Sequence, residues 1–213
     1  MLKEIHEQPK VAEDLIHLLS ASKHLQRFVD KVKAARHLYF VGCGTSYHAC
    51  VLGSVYFARL AGVPAVPVLA PQFLAQYAPA LGSQDACVFV SQSGETKDVL
   101  NALEAAKACG AAILGLANVL GSTLMHQSDV YLPLACGYEI SVPATKTFVN
   151  QCVAFLALAL RAGGHDASLL KGLPGLIGRT IASLEGEVHD LTPSLQNRED
   201  LYCLGYGLTY PIA

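Results

Sequence analysis

The sequence predicts an α/β protein in which helices cover both faces of a five-stranded parallel sheet, a three-layer αβα sandwich. Three observations support this prediction. Five short runs are apolar along their whole length, helical patterns separate them, and loops rich in glycine and hydroxyl groups follow the first and the third run. Strands that do not alternate with polar residues are typical of a parallel sheet whose two faces are both covered by helices.

The elements follow one another in a regular order. The predicted strands are 38–41, 65–69, 86–90, 111–116 and 130–134, and the predicted helices between and after them are 47–61, 72–76, 96–109, a short one within 118–127, and 144–162. Residues 1–36 have helical apolar spacing, with Pro9 expected to end a short first helix or to begin the next. Residues 166–199 are predicted to be a linker helix interrupted near Pro174, and Asp200–Leu204 a new strand.

Composition excludes several classes of protein. Hydrophobic residues make up 52% of the 213 residues and charged residues only 15%, so a large core is expected and disorder is not. The net charge of −2 argues against a broad nucleic-acid surface. The apolar run Cys152–Leu160 is too short to span a bilayer, and residues 1–7 are too charged for a secretory signal. We therefore expect a cytoplasmic protein without membrane or nucleic-acid partners.

The cysteines do not indicate a disulfide framework or a metal site. There are seven, an odd number, and none forms a Cys-x-x-Cys pair. Most lie in apolar runs, as Cys87, Cys152 and Cys203 do, so we expect reduced core residues. No metal and no cofactor is predicted.

The loop after the third strand has the composition of an anion site. Ser91, Gln92, Ser93, Gly94 and Glu95 stand between an apolar run and a helical pattern that begins at Thr96. Glycine allows a tight turn, the hydroxyls can donate, and the N–H groups of a first helical turn have no partner within the helix. An ordinary helix cap needs one hydroxyl, whereas this loop supplies three in six residues, so we favour a phosphate cradle.

The loop after the first strand repeats this plan with Gly42-Cys43-Gly44-Thr45-Ser46. A Gly-x-Gly pair is also compatible with a dinucleotide-binding enzyme. The third glycine of that fingerprint is absent, however, and no acidic residue follows the second strand. Thr45 and Ser46 therefore fit a sugar phosphate better, and His48 is interpreted as an ordinary surface or packed histidine.

Residues 137–147 follow the fifth strand and reach the same edge of the sheet as the two hydroxyl-rich loops. Ligands of such sheets bind beyond the carboxyl ends of the strands, so the three segments can face one ligand. Glu139 and Lys146 are charges beside an apolar helix. They are interpreted either as a solvated or structural ion pair or as part of the site.

Four stretches together resemble the SIS (sugar isomerase) domain family, and within it the isomerase half of the glucosamine-6-phosphate synthases. They are 3–9, 42–49, 91–96 and 139–146, in the family's order, and they span about two-thirds of the chain. The resemblance implies the SIS fold, a flavodoxin-like αβα sandwich, with phosphate contacts from Ser46, Ser91, Gln92, Ser93 and Thr96. Thr45, Val142 and Ala144 match positions that line the sugar.

Two departures from the family pattern affect the expected chemistry. Pro143-Ala144 replaces the usual Ala-Ser, so a hydroxyl that contacts the sugar is lost. Second, the resemblance assigns the family's enolisation glutamate, ring-opening histidine and Schiff-base lysine to a second SIS domain, of which this chain would hold only a truncated start. It predicts an N-terminal helical segment at 1–36, a phosphosugar-binding SIS domain at 37–165, the linker helix at 166–199 and a truncated start of that second domain at 200–213.

The expected function is a phosphosugar-binding SIS domain of an aminosugar-phosphate isomerase or deaminase that takes glucosamine or fructose 6-phosphate. The alternative is a non-catalytic sugar-phosphate-binding or regulatory module. No catalytic residue is assigned, and Glu139 is the one candidate base because it lies on the loop opposite the cradle. We expect hexose 6-phosphate as ligand, a homodimer because of the broad apolar helices 10–35 and 144–162, and no turnover by this chain alone.

Overall fold

Five strands form one parallel sheet in the spatial order β2-β1-β3-β4-β5. The structure, a computed structural model, describes residues 1–141 and 143–213. The strands are β1 (Leu38–Gly42), β2 (Val66–Leu69), β3 (Ala86–Ser91), β4 (Ala112–Ala117) and β5 (Val130–Pro133). All the pairings are parallel, so the predicted flavodoxin-like sheet is confirmed, with each strand within about one residue of its predicted bounds.

Alternate residues of each strand face two different hydrophobic cores. Phe40 and Val88 lie side by side and point into one core, while Val41 and Phe89 lie side by side and point into the other. This alternation is the period of two that every strand imposes on its side chains. Because both faces are buried, the strands have to be apolar throughout, and this explains the pattern in the sequence.

Helices cover both faces and complete the three predicted layers. They are α1 (Leu2–Ala21), α2 (Lys23–Ala34), α3 (Thr45–Tyr56, continued by one π-helical turn at Phe57–Ala61), α4 (Ala70–Gln76), α5 (Lys97–Ala108), α6 (Thr123–Gln127), α7 (Lys146–Ala162) and α8 (Leu173–Leu195). Side chains of α1, α2, α3 and α7 share the core on one face of the sheet. Those of α4, α5 and α6 share the core on the other face.

The prediction that Pro9 ends one helix or begins another is wrong, because α1 continues through it from Leu2 to Ala21. A proline inside a helix loses a backbone hydrogen bond and usually costs about 3 kcal/mol. Here α1 packs against α7 and α8, with Leu15 fully buried, and this tertiary packing offsets the local cost. The ring of Pro9 lies against Gly178 of α8.

The structure agrees with one prediction for the last third of the chain and contradicts another. A 3₁₀-helical turn, Ala167–Leu170, ends before α8 begins at Leu173, so the helical segment is interrupted just before Pro174, which stands in the first turn of α8, where a proline costs no hydrogen bond. The segment 200–204 forms no strand, and Leu204 is 93% exposed. A strand needs a hydrogen-bonded neighbour, and among the described residues neither edge strand of the sheet, β2 or β5, pairs with this segment.

The cysteines are free thiols, but not all of them are core residues. Cys87 and Cys136 are buried, and desolvation raises the pKa of the Cys136 thiol to about 12. Cys152 is partly buried, and Cys203 is exposed because its segment pairs with no strand. The described residues contain no helix with the length and apolar character that crossing a membrane requires.

Candidate functional site

Three segments at the carboxyl edge of the sheet line one cavity of about 590 Å³. They are the loop from β1 to α3, the loop from β3 to α5, and the segment between β5 and α7. The lining residues are Cys43, Gly44, Thr45, Ser46, Val90, Ser91, Gln92, Ser93, Thr96, Glu139, Ile140, Ser141, Pro143 and Ala144. A cavity of this volume suits a small organic ligand.

The cavity brings together nearly all of the residues that the sequence singled out. Thr45, Ser46, Ser91, Gln92, Ser93, Thr96, Ala144 and Glu139 all line it. Val142 lies outside the described residues. Six lining residues were not predicted as site residues. Five of them adjoin a predicted residue in the chain (Gly44, Val90, Ile140, Ser141 and Pro143), and Cys43 lies two positions before Thr45.

The loop 91–96 is held by hydrogen bonds among its own hydroxyls and backbone. The hydroxyl of Ser91 is buried, accepts the Gly94 N–H at 3.0 Å and lies 3.0 Å from the hydroxyl of Thr96. The hydroxyl of Ser93 accepts the Glu95 N–H at 3.1 Å. These bonds fix the loop in one shape before any ligand is present.

The same bonds leave hydroxyl hydrogens for a ligand. Ser93 uses its oxygen as an acceptor, so its own hydrogen is available to donate. Ser91 and Thr96 share one hydrogen bond, which uses one of their two hydrogens and leaves the other, whichever of the two donates. The loop therefore offers donors and suits an anion.

Ser46 is positioned by a residue that sequence reasoning missed. The amide of Gln151, buried on α7, donates to the Ser46 hydroxyl at 2.9 Å. Ser46 then accepts this bond and keeps its hydrogen for the cavity. The sequence signal was an amide within an otherwise apolar helix, but the pairing joins positions 105 residues apart, and no local pattern reveals it.

Two helices begin at the cavity. The helix α3 begins at Thr45 and α5 begins at Lys97 with Thr96 as its N-cap, and the first N–H groups of a helix carry partial positive charge. Among the described lining residues there is no lysine or arginine. Helix dipoles, N–H groups and hydroxyls are therefore the positive features of this end of the cavity.

Glu95 serves the neighbouring loop and not the cavity. Its carboxylate accepts the Thr123 N–H at 2.6 Å and the Thr123 hydroxyl at 2.9 Å, at the start of α6. The hydrogen bond from the Thr123 N–H lowers the pKa of the Glu95 carboxyl.

Glu139 caps the N-terminus of α7. One carboxylate oxygen accepts the Thr145 N–H at 2.8 Å, the Thr145 hydroxyl at 3.1 Å and the Thr147 N–H at 3.4 Å. The other oxygen is buried without a hydrogen-bond partner among the described residues. A carboxylate at this position offsets the dipole of α7, so α3 and α5 are left to attract an anion.

Glu139 and Lys146 do not form the ion pair considered from the sequence. The Lys146 ammonium is instead 2.7 Å from the carboxylate of Glu7 on α1 and donates to the Tyr138 carbonyl at 2.8 Å. Lys146 is only 3% exposed, so the interpretation as a solvated pair is wrong. The hydrogen bond from Lys146 lowers the pKa of the Glu7 carboxyl.

A family model described as SIS domain matches residues 31–161, more than half of the chain. The chain belongs to the SIS domain family. It is 38% identical over 220 residues to a glutamine--fructose-6-phosphate aminotransferase (isomerizing) of Pyrobaculum aerophilum, covering 100% of this chain and 36% of that protein. The enzyme of the same name from Aquifex aeolicus is 38% identical over 216 residues, again covering 100% of this chain and 36% of that protein.

Among solved structures, the C-terminal domain of glucosamine-fructose-6-phosphate aminotransferase from Francisella tularensis is similar, with a TM-score of 0.87 and 27% identity. That similarity covers 100% of this chain and 64% of that chain. This SIS protein thus spans about 36% of the length of the two curated relatives. The matched residues 31–161 include every segment that lines the cavity, whereas α1 and α8 lie outside them.

Proposed function

We propose that this SIS domain binds a hexose 6-phosphate in the cavity between the three loops. The observation that carries the proposal is the division of the cavity into two ends. The end formed by the loops before α3 and α5 offers hydroxyl hydrogens and helix N–H groups, which suit a phosphate. The other end, residues 139–141 and 143–144, offers a mixed polar and apolar wall that suits a sugar.

The relatives support the choice of sugar phosphate. The names of the two curated relatives refer to fructose 6-phosphate, to amino transfer and to isomerisation. We therefore propose that the domain belongs to an aminosugar-phosphate isomerase or deaminase. Ser46, Ser91, Gln92, Ser93 and Thr96 would hold the phosphate. Thr45, Ala144 and, by resemblance, Val142 would line the sugar.

A binding-only module is the second candidate, and the contacts of Glu139 favour it for this chain by itself. A general base must reach the proton that it removes, either directly or through one water. One oxygen of Glu139 is occupied by helix capping and the other is buried. We therefore expect binding without turnover, to be tested by the conversion of fructose 6-phosphate to glucose 6-phosphate.

The domain division, the homodimer and the cytoplasmic location stay predictions. We propose that residues 200–213 begin a further domain. The exposed Leu201, Leu204 and Tyr206 support this, because such apolar side chains are usually covered. The homodimer needs a different argument from the one made from the sequence, because α7 is largely buried within this fold.

The substitution Ser93→Ala tests the binding proposal. It removes a hydroxyl that would donate to a charged phosphate, and the loss of such a bond costs about 1.5–3 kcal/mol. Calorimetric titration with fructose 6-phosphate should show affinity weakened by that amount. The control is Ser83→Ala, an exposed serine in the loop before β3, at the opposite edge of the sheet, and it should leave the affinity unchanged. Unchanged affinity for Ser93→Ala would contradict the assignment.

A further inference from the structure

The sugar-side wall of the cavity is tied to the N-terminal helix by a buried carboxylate. One oxygen of Glu4 on α1 accepts the Ile140 N–H at 2.6 Å and the Ser141 N–H at 3.3 Å. Glu4 is only 6% exposed, and the bond from Ile140 lowers the pKa of its carboxyl. The other oxygen lies 3.2 Å from the α-amino group of Met1.

A second contact ties the same wall to α1 one helical turn further on. Glu7 holds the ammonium of Lys146, and that ammonium also donates to the Tyr138 carbonyl. The backbone on both sides of Glu139 is thus tied to α1: Glu4 holds the Ile140 N–H directly, and Glu7 holds the Tyr138 carbonyl through Lys146. Since residues 134–141 and 143–145 form no helix or strand, these contacts replace the ladder that would fix an ordinary element.

We infer that Glu4 is a positioning residue that sets the sugar-side wall of the cavity, acting through the backbone of Ile140 and Ser141. Both of these residues line the cavity, and Glu4 does not. Glu4 therefore acts on a ligand only through the shape of this wall. The inference rests on the proposed function, because it concerns how that same cavity distinguishes a sugar phosphate from a bare phosphate.

The proposed phosphate contacts and the wall at Ile140 and Ser141 are built from different elements, and this makes the inference testable. The phosphate end comes from the loops before α3 and α5, neither of which contacts Glu4 among the hydrogen bonds of the described residues. Loss of Glu4 should release the wall at Ile140 and Ser141 while the cradle stays in place. The sugar contacts should weaken and the phosphate contacts should not.

The experiment compares two ligands for each of four proteins by NMR titration of the whole 213-residue chain. The ligands are fructose 6-phosphate and inorganic phosphate, and the proteins are the unmodified chain, Glu4→Ala, Glu4→Gln and Glu13→Ala. Glu13 is an exposed carboxylate on the same helix that pairs with Lys10 and does not line the cavity, so it controls for the loss of charge from α1.

Glu4→Ala should weaken the affinity for fructose 6-phosphate by about tenfold or more, as expected when a charged acceptor of two backbone hydrogen bonds is lost. The affinity for inorganic phosphate should stay within about threefold of that of the unmodified chain. Glu4→Gln keeps an oxygen acceptor without the charge, so its effect should have the same direction and be smaller. Glu13→Ala should change neither affinity.

If Glu4→Ala changes the affinities for the two ligands by the same factor, or changes neither, the ratio of the affinities stays the same and the inference is overturned. If Glu4→Ala does not fold, the ratio measured for Glu4→Gln decides in the same way, because that variant keeps the shape of the side chain. Failure of the unmodified chain to bind fructose 6-phosphate would refute the proposed function itself, and the two failures are therefore distinguishable.

Discussion

Gly94 is the residue of the phosphate cradle that least tolerates a side chain. Its φ of +69° lies in the left-handed region, and a Cβ atom built on it would collide with the side chain of Ser122. Its N–H donates to the hydroxyl of Ser91, and its carbonyl accepts the Leu124 N–H. The turn, the cradle and the start of α6 thus meet at one glycine.

We expect Gly94→Ala to destabilise the protein by about 2–4 kcal/mol, the sum of backbone strain and steric overlap, and to abolish measurable hexose phosphate binding. The matched control is Gly121→Ala, where φ is +79° but nothing lies within 4 Å of the added Cβ. It should show the strain alone, about 1 kcal/mol, and keep the binding. Urea denaturation and ligand titration check both statements, and equal losses in the two variants would disprove the steric part.

At the scale of elements, the packing of α3 on α7 depends on another glycine. A Cβ added at Gly53 of α3 would lie 2.6 Å from the ring of Phe155 on α7. Phe155 is fully buried and its ring centre is 4.7 Å from that of Phe40 in the central sheet. The helix α3 begins at the cavity, and Gln151 of α7 binds the hydroxyl of Ser46 there, so this packing also positions the site.

Gly53→Ala therefore sets two effects of opposite sign against each other. Alanine favours a helix over glycine by about 1 kcal/mol, whereas forcing a methyl group into a packed core costs about 1–3 kcal/mol. We expect a net loss of stability. Gly186→Ala, on exposed α8 with open space around the glycine, should instead stabilise the protein by up to about 1 kcal/mol. Thermal unfolding of both variants measures the difference, and a stabilised Gly53→Ala would contradict the packing account.

The elements that could be predicted from the sequence were those whose signal is local. β3 and the loop that follows it were predictable because an apolar run, a glycine and three hydroxyls adjoin one another in the chain. Pro9 misled the prediction because the packing of α1, which is formed by distant residues, outweighs a local preference. The strand expected at 200–204 failed because pairing needs a partner, which a propensity pattern does not supply.

The parts of the site that could not be predicted depend on contacts between distant residues. Gln151 holds Ser46, Glu4 holds Ile140, and Glu7 holds Lys146, each across more than a hundred positions of the chain. Side chains of this kind are ordinary polar residues on helices when they are seen in sequence alone. Only the three-dimensional fold shows that they support the walls of the cavity.

For the whole molecule, the distribution of exposed apolar surface differs from what the sequence suggested. The broad apolar helix α7 is covered by α1, α2 and α3, so it offers little surface for a partner. A dense group of exposed apolar residues lies on α8 and the segment after it, where Val188 is 62% exposed and Leu204 is 93% exposed. A surface of this kind is where further protein would be expected to pack, while the cavity is formed by elements before it in the chain.

The most direct test of the central claim is an amide NMR titration of the unmodified chain with fructose 6-phosphate. We expect saturable shifts in the segments that line the cavity, 43–46, 90–93 with 96, and 139–141 with 143–144, with the first turns of α3 and α5 among the most affected. A saturable response confined to other parts of the chain, or no response at millimolar ligand, would contradict the claim that this cavity binds a sugar phosphate.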